Sequence, residues 1–135
     1  MRGVDTNVLL RPFAQDDPGQ VAAVETLFRE LEAQGERLFV SCIVLCEACW
    51  SLRGLGFPRS KIAATLEKLL DTAFFEIQDR ELVRRALAQY RQGPAGFADY
   101  LIGWQNRQAG CADTVTFDGD LEGTPGFSLL SSSSV

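Results

Sequence analysis

The chain has 135 residues, 46% hydrophobic and 23% charged, the composition of one globular domain able to bury a core without disulfides or a structural metal. It contains no histidine, which excludes Ser-His-Asp triads, histidine general bases and histidine metal sites, and leaves carboxylates, the ligands that suit hard cations such as Mg²⁺ or Mn²⁺. The net charge of −5 is not the broad basic footprint of a protein that grips nucleic acid along its backbone.

Arg2 to Val4 is a short apolar start that ends at Asp5-Thr6-Asn7, the pattern of a strand running into a turn. Asp17-Pro18 reads as an N-cap followed by proline at the first helical position. Val21, Val24, Leu27, Phe28 and Leu31 follow at helical spacing, and Gly35 is the expected stop. Leu38-Phe39-Val40 is a second strand, and Ser41 is placed to cap a helix running to about Arg53. After the Gly54–Pro58 linker a helix carries Ile62, Leu66, Leu69 and Leu70 on one face. Phe74 to Ile77 is strand-like, and Asp79 caps a helix bearing Leu82, Val83, Ala86, Leu87 and Tyr90. Gly93-Pro94-Ala95-Gly96 breaks that helix. A further one runs from Phe97 to Ala109 and stops at Gly110. Ala112 to Phe117 is the last clear strand, with Phe127 to Leu130 as an added edge strand and a Ser-rich tail after it.

Strands alternate with helices along the whole chain, which predicts βαβ units and a parallel sheet covered on both faces. Residues 1–130 make one domain with no internal repeat, followed by the 131–135 tail. No apolar run approaches the roughly 20 residues of a membrane helix, and Met1–Asp5 leaves no room for a signal peptide ahead of the first strand, so the expected location is cytoplasmic.

In such a sheet ligands bind at the carboxyl ends of the strands. Asp5 follows the first strand and Asp118 a later one. Crossover helices return antiparallel to the strands, so their N-termini reach that same edge. Glu47 falls in the second turn of the helix capped by Ser41, and Asp99 in the first turn of the helix opening at Phe97. Chain direction therefore predicts that four acids far apart in sequence converge on one rim. Like charges so gathered destabilise a fold unless a cation neutralises them, which points to one or two divalent ions and to phosphodiester hydrolysis. Each acid taken alone has a plainer reading: Asp5 as a helix cap, Asp99 as a first-turn acid favoured by the helix dipole, Asp118-Gly119 as a turn pair and Glu47 as a solvated helix residue. Glu47 stands among Val44, Leu45, Ala48, Cys49 and Trp50, which makes that reading least natural for it.

The segments Val4-Asp5-Thr6-Asn7-Val8-Leu9-Leu10-Arg11, Val44-Leu45-Cys46-Glu47-Ala48-Cys49-Trp50, Phe97-Ala98-Asp99-Tyr100-Leu101-Ile102, Gly110-Cys111 and Thr116-Phe117-Asp118 together resemble PIN-domain proteins, most closely the bacterial VapC toxins, the ribonuclease halves of toxin–antitoxin pairs. The resemblance covers nearly the whole chain in the family's order. It implies an α/β/α three-layer sandwich with a central parallel sheet of about five strands, Mg²⁺ or Mn²⁺ as cofactor, endoribonuclease activity on an RNA substrate, a homodimer and a small antitoxin partner. Asp5, Glu47, Asp99 and Asp118 match the family's four acids. Thr6, Asn7 and Thr116 match polar residues beside the ligands, and Asp120 is an additional acid nearby. The chain departs from the pattern at Gly96, where relatives often carry an acid, and in its short end.

Other readings separate on specific features. Cys42, Cys46 and Cys49 spell C-x3-C-x2-C, the spacing of radical iron–sulfur enzymes, but on a helix this spacing lines up three small apolar side chains, and core packing is the expected role. Four reduced thiols agree with a cytoplasmic setting. A receiver domain needs paired acids after its first strand and a lysine near its last, whereas this chain has Asp5 there and lysines only at Lys61 and Lys68. A PIN nuclease in RNA processing or turnover, and a non-catalytic PIN-fold binding module, are the alternatives to a toxin. All four acids stand, which sets the chain apart from members that have lost catalysis, and a neighbouring gene for a DNA-binding partner would mark a toxin.

Overall fold

The computed structural model describes residues 1–14 and 16–132; of the Ser-rich tail, Ser133, Ser134 and Val135 lie outside the described residues. The chain divides into two compact units, Met1–Arg80 and Glu81–Val135.

Unit 1 is built on three parallel strands, β1 (Arg2–Gly3), β2 (Leu38–Val40) and β3 (Phe75–Ile77), in the spatial order β1-β2-β3. Arg2 pairs with Leu38, and Leu38 with Phe75, so the carboxyl ends of all three strands lie at one edge. The central strand is fully buried on its inner positions, Leu38 at 1% and Val40 at 0% exposure. Four helices accompany the ladder: α1 (Thr6–Ala14), α2 (Pro18–Ala33), α3 (Cys42–Gly54) and α4 (Arg59–Asp71). Helix α1 packs on α2 and α3, and α3 on α4.

Local chemistry explains where these helices begin. Asp17 accepts the Gln20 N–H at 3.1 Å, with Pro18 opening α2, and Ser41 Oγ accepts the Val44 N–H at 3.2 Å to open α3. Both caps satisfy N–H groups that have no partner inside the helix. Apolar periodicity then fixes the buried face. Leu45, Ala48, Cys49 and Leu52 of α3, and Ile62, Ala63, Leu66, Leu69 and Leu70 of α4, are buried. Each such leucine contributes roughly 1.5–3 kcal/mol. Arg80 closes the unit by donating to the carbonyls of Leu70 and Phe75, the latter at 2.9 Å.

Unit 2 holds α5 (Arg80–Gln92, counted from Glu81), α6 (Phe97–Gln108) and the parallel pair β4 (Thr114–Thr116) and β5 (Phe127–Leu129), joined by a short 3₁₀ turn over Gly119–Leu121. Val83, Ala86, Leu87 and Tyr90 form the buried stripe of α5, and Phe97, Tyr100 and Leu101 that of α6. The fold is thus α/β, with five strands in two parallel ladders and the expected stops at Gly35 and Gly110 both at positive φ, 71° and 98°. No helix among the described residues is long and apolar enough to cross a membrane.

Two elements differ from the sequence expectation. Asp5-Thr6-Asn7 opens helix α1 instead of a plain turn. Pro12 sits inside that helix, where it removes one backbone bond and masks the helical pattern. The last clear strand is confined to Thr114–Thr116, because Asp113 and Phe117 fall outside the ladder with β5. Asp79, expected to cap α5, stands just before it at φ +50°, a conformation that Asp tolerates better than most residues.

Because Ser41 sets the start of the helix that carries Glu47, Ser41→Ala is expected to cost about 1 kcal/mol of stability, read as a lower urea midpoint with an unchanged slope; an unaltered midpoint would show that the cap contributes nothing.

Candidate active site

The first pair of acids lies in unit 1. Asp5 follows β1 by two residues and its carbonyl accepts the N–H groups of Val8 and Leu9, both at 3.1 Å, so it is the residue from which α1 starts. Its Oδ1 accepts the Thr6 N–H at 2.8 Å. Thr6 itself is the buried polar side chain of the described residues, 7% exposed, and its hydroxyl donates to Glu47 Oε1 at 3.0 Å across 41 residues of sequence. One threonine therefore holds both acids, Asp5 through its main chain and Glu47 through its side chain. Asn7 contributes its carbonyl, which accepts from Arg11 Nε at 3.1 Å.

A residue not singled out from sequence also positions this pair. Gln78, just past β3, accepts the Cys42 N–H on Oε1 at 2.9 Å and takes the Cys42 thiol on its carbonyl at 3.4 Å. Its own N–H donates to Val40 at 3.0 Å. It thus locks the first turn of α3 to the strand edge. Only its place after a strand end hints at this, since the contact is tertiary.

The three cysteines of α3 are packing residues. Cys42 and Cys49 are buried and Cys46 is half-buried. Burial, with the Asp79 and Cys46 charges adding to it, pushes the Cys42 thiol up to about 11, and burial with Cys46 pushes Cys49 up to about 12.

The second pair lies in unit 2. Asp99 sits at the third position of α6, where its Oδ2 accepts the Gly96 N–H at 3.0 Å. A side chain at Gly96 would place its Cβ 3.1 Å from that oxygen, so the departure from the family pattern at this position leaves Asp99 room. Asp118 follows β4. Its N–H donates to Thr116 Oγ1 at 3.0 Å, and its Oδ1 accepts the Asp120 N–H at 2.9 Å. Asn106, late in α6, donates to Thr114 Oγ1 at 3.0 Å, which fixes the end of the helix at the start of the strand. Asp99 and Asp118 are thus each held within unit 2 by their own local hydrogen bonds.

All four share one pattern. Each has one oxygen held by a neutral protein donor, while the other accepts no hydrogen bond and none of the four is ion-paired, among the described residues. Such half-tethered carboxylates suit monodentate ligation of a hard cation. Within neither unit do three acidic or thiol side chains gather as a metal cage among the described residues.

Residues 4–126 match the PIN domain, and the chain belongs to the PIN-domain family. It is also 30% identical over 118 residues to the VapC ribonuclease of Aquifex aeolicus, the match covering 87% of each chain. No solved structure matches it.

Two outcomes are expected from this geometry. A double-mutant cycle of Thr6→Val with Glu47→Ala should give a coupling of about 0.5–1.5 kcal/mol in urea unfolding; additive losses would show that the hydrogen bond is not made in solution. The raised thiols stabilise the fold fully below the ordinary thiol value of 9.0, and this part is lost as pH rises toward about 11 and 12. Alkylation near pH 8 should accordingly label exposed Cys111 first and spare Cys42 and Cys49, as peptide mass mapping would read; early labelling of Cys49 would contradict its burial.

Proposed function

We propose that this chain is a metal-dependent endoribonuclease and the toxin of a toxin–antitoxin pair, hydrolysing RNA phosphodiester bonds with Asp5, Glu47, Asp99 and Asp118. The observation that carries the proposal is the shared state of the four acids, each fixed by one oxygen and open at the other, in a PIN-domain chain similar to a ribonuclease over most of its length.

Asp5, Asp99 and Asp118 would hold Mg²⁺ or Mn²⁺, each having an oxygen that no protein donor occupies among the described residues. When bound, the cation supplies Lewis-acid polarisation of the phosphodiester and activation of the attacking water. Glu47 reaches further on its longer side chain and either joins the ligands or orients and deprotonates the water, with Thr6 Oγ1 keeping its other oxygen in place. The Thr6 N–H restrains Asp5, and the Thr116 hydroxyl restrains the Asp118 main chain. Asp120 and Asn7 are the remaining polar neighbours, Asp120 adding negative charge beside Asp118.

The antitoxin belongs to the same proposal. Helix α3 exposes Ile43 at 73% and Trp50 at 61% on either side of Glu47, an apolar strip of the kind that partners cover. A helix seated there can bring an arginine or lysine to the carboxylates and take the place of the cation. A homodimer and a cytoplasmic setting complete the proposal, the dimer to be read by light scattering.

Incubation of the purified chain with total cellular RNA, with Mg²⁺ or Mn²⁺ against EDTA, tests the activity. Asp5→Asn and Asp99→Asn should each lower cleavage at least about a hundredfold with circular dichroism unchanged; parent-rate cleavage by Asp99→Asn would remove the site assignment. Millimolar Mn²⁺ should raise the melting temperature by mass action, reversibly with EDTA and less in Asp99→Asn. An equal response in parent and variant would place the ions elsewhere. Expression of the active chain alone in its native host should arrest growth, and normal growth with no partner recovered would sink the toxin role while leaving the nuclease.

A further inference from the structure

Unit 2 contains a second constellation that the acids do not explain. Trp104 of α6 donates its indole N–H to Gln89 Oε1 of α5 at 2.7 Å, which fixes the ring against both helices. The guanidinium carbons of Arg85 and Arg107 stand 5.1 and 5.7 Å from the ring centre, within cation–π range. Neither arginine has a carboxylate within ion-pairing distance among the described residues. The indole therefore holds two guanidiniums in place without cancelling their charge. Two positioned cations with donors unspent make an anion site, and phosphate is the anion that a guanidinium fork matches.

Beside them opens a cavity of about 430 Å³. Tyr100 and Phe127 give it aromatic walls, and Gln89, Arg107 and Asp113 give it polar groups. The walls are fixed features. Tyr100 is buried and its hydroxyl accepts the Ala95 N–H at 3.3 Å. Phe127 lies so close to α6 that a Cβ on Gly103 would come 2.6 Å from its ring, so only glycine at this position lets the ring rest there. Phe127 is only half-buried and can accept the flat face of a base, with buried Tyr100 behind as fixed backing. A carboxylate such as Asp113, which accepts the Ser128 hydroxyl on Oδ2, suits a base with an exocyclic amino group.

Position on the helix ties this cavity to the candidate catalytic acid. Asp99, Gly103 and Arg107 recur every four residues and so share one face of α6. Along the axis Gly103 is roughly 6 Å and Arg107 roughly 12 Å from Asp99, at ~1.5 Å per residue. An acidic protein of net charge −5 gains little from long-range attraction to RNA, so it needs a local cationic grip of this kind.

We propose that the cavity is a nucleotide subsite: it receives one base of single-stranded RNA, preferring bases with an exocyclic amino group, while Arg85 and Arg107 hold the adjoining phosphate and lead the strand along α6 toward Asp99. The role as a substrate subsite rests on the nuclease function proposed above; the binding itself does not.

The test is fluorescence anisotropy with short labelled single-stranded RNAs and the full chain in EDTA, RNA integrity being checked on a gel. Arg85 and Arg107 are exposed, so Arg85→Gln, Arg107→Gln and the double variant should fold as the parent does. The double variant is expected to bind on the order of tenfold more weakly. Its plot of log affinity against log salt should flatten by about 0.7 per lost phosphate contact. Oligo-A, oligo-C and mixed sequences should bind the parent more tightly than oligo-U, and Asp113→Asn should erase that order. In cleavage assays the double variant should raise KM and keep kcat. Parent-like affinity and salt dependence in the double variant would overturn the subsite, and cleavage with an unchanged KM would do the same while leaving the nuclease standing. Arginine-dependent RNA binding by a parent that cuts no RNA would overturn the nuclease and leave the subsite.

Discussion

One hydroxyl group orders the first half of the candidate site. Thr6 is buried, and a buried hydroxyl without a partner costs more than its hydrogen bond returns, so it must donate to something. What it reaches is Glu47, on a helix that begins 36 residues later at Cys42. That single contact makes the orientation of α3 a condition for satisfying the start of α1. The rest of unit 1 works to the same end: Ser41 caps α3, Gln78 holds its first N–H to the strand edge, and the leucines on its inner face prevent rotation. A glutamate with that much scaffolding behind it is not an incidental surface charge, although its carboxylate is solvated.

The distribution of cations makes the same point from the other side. The chain has 13 basic residues against 18 acidic ones, and Asp16, Glu36 and Glu76 take ion pairs while none of the four acids does, among the described residues. Arg37 spans to Glu76, and Arg11, only six residues after Asp5, turns to Asp16 at 2.6 Å. In unit 2 the one arginine on the helix of Asp99, Arg107, goes to an indole ring instead of a carboxylate. Surface ion pairs stabilise a fold only slightly, so leaving four acids without cations costs little, and it keeps their charge available.

Much of this was legible locally. The caps at Asp17 and Ser41 lie within three residues of the groups they satisfy, and the buried stripes of α3, α4 and α5 are written in their 3.6-residue period; both kinds of signal survive in a bare sequence. Parallel pairing followed from strand–helix alternation. Helix α1 did not, because Pro12 interrupts its pattern and Thr6 and Asn7 read as turn residues in isolation. Gln78 and the Thr6–Glu47 bond were invisible for a different reason: they join segments tens of residues apart, and nothing in either segment names the other. The Trp104 constellation has the same character, since Arg85 and Gln89 reach it from another helix.

The tethers on the four acids explain how a carboxylate proposed for chemistry can also serve the scaffold. In every case the donor is neutral, a main-chain N–H for Asp5, Asp99 and Asp118 and a hydroxyl for Glu47. An arginine in that place would restrain a carboxylate equally well, but it would also satisfy its charge and compete with any cation. A neutral donor restrains one oxygen and leaves the negative charge for something else to meet. It also accounts for the helix positions: Asp5 and Asp118 start helical turns and Asp99 sits in one, where unpaired N–H groups are abundant. The capping role that each acid has by itself is therefore no rival to a ligand role, because it supplies the preorganisation that a ligand requires.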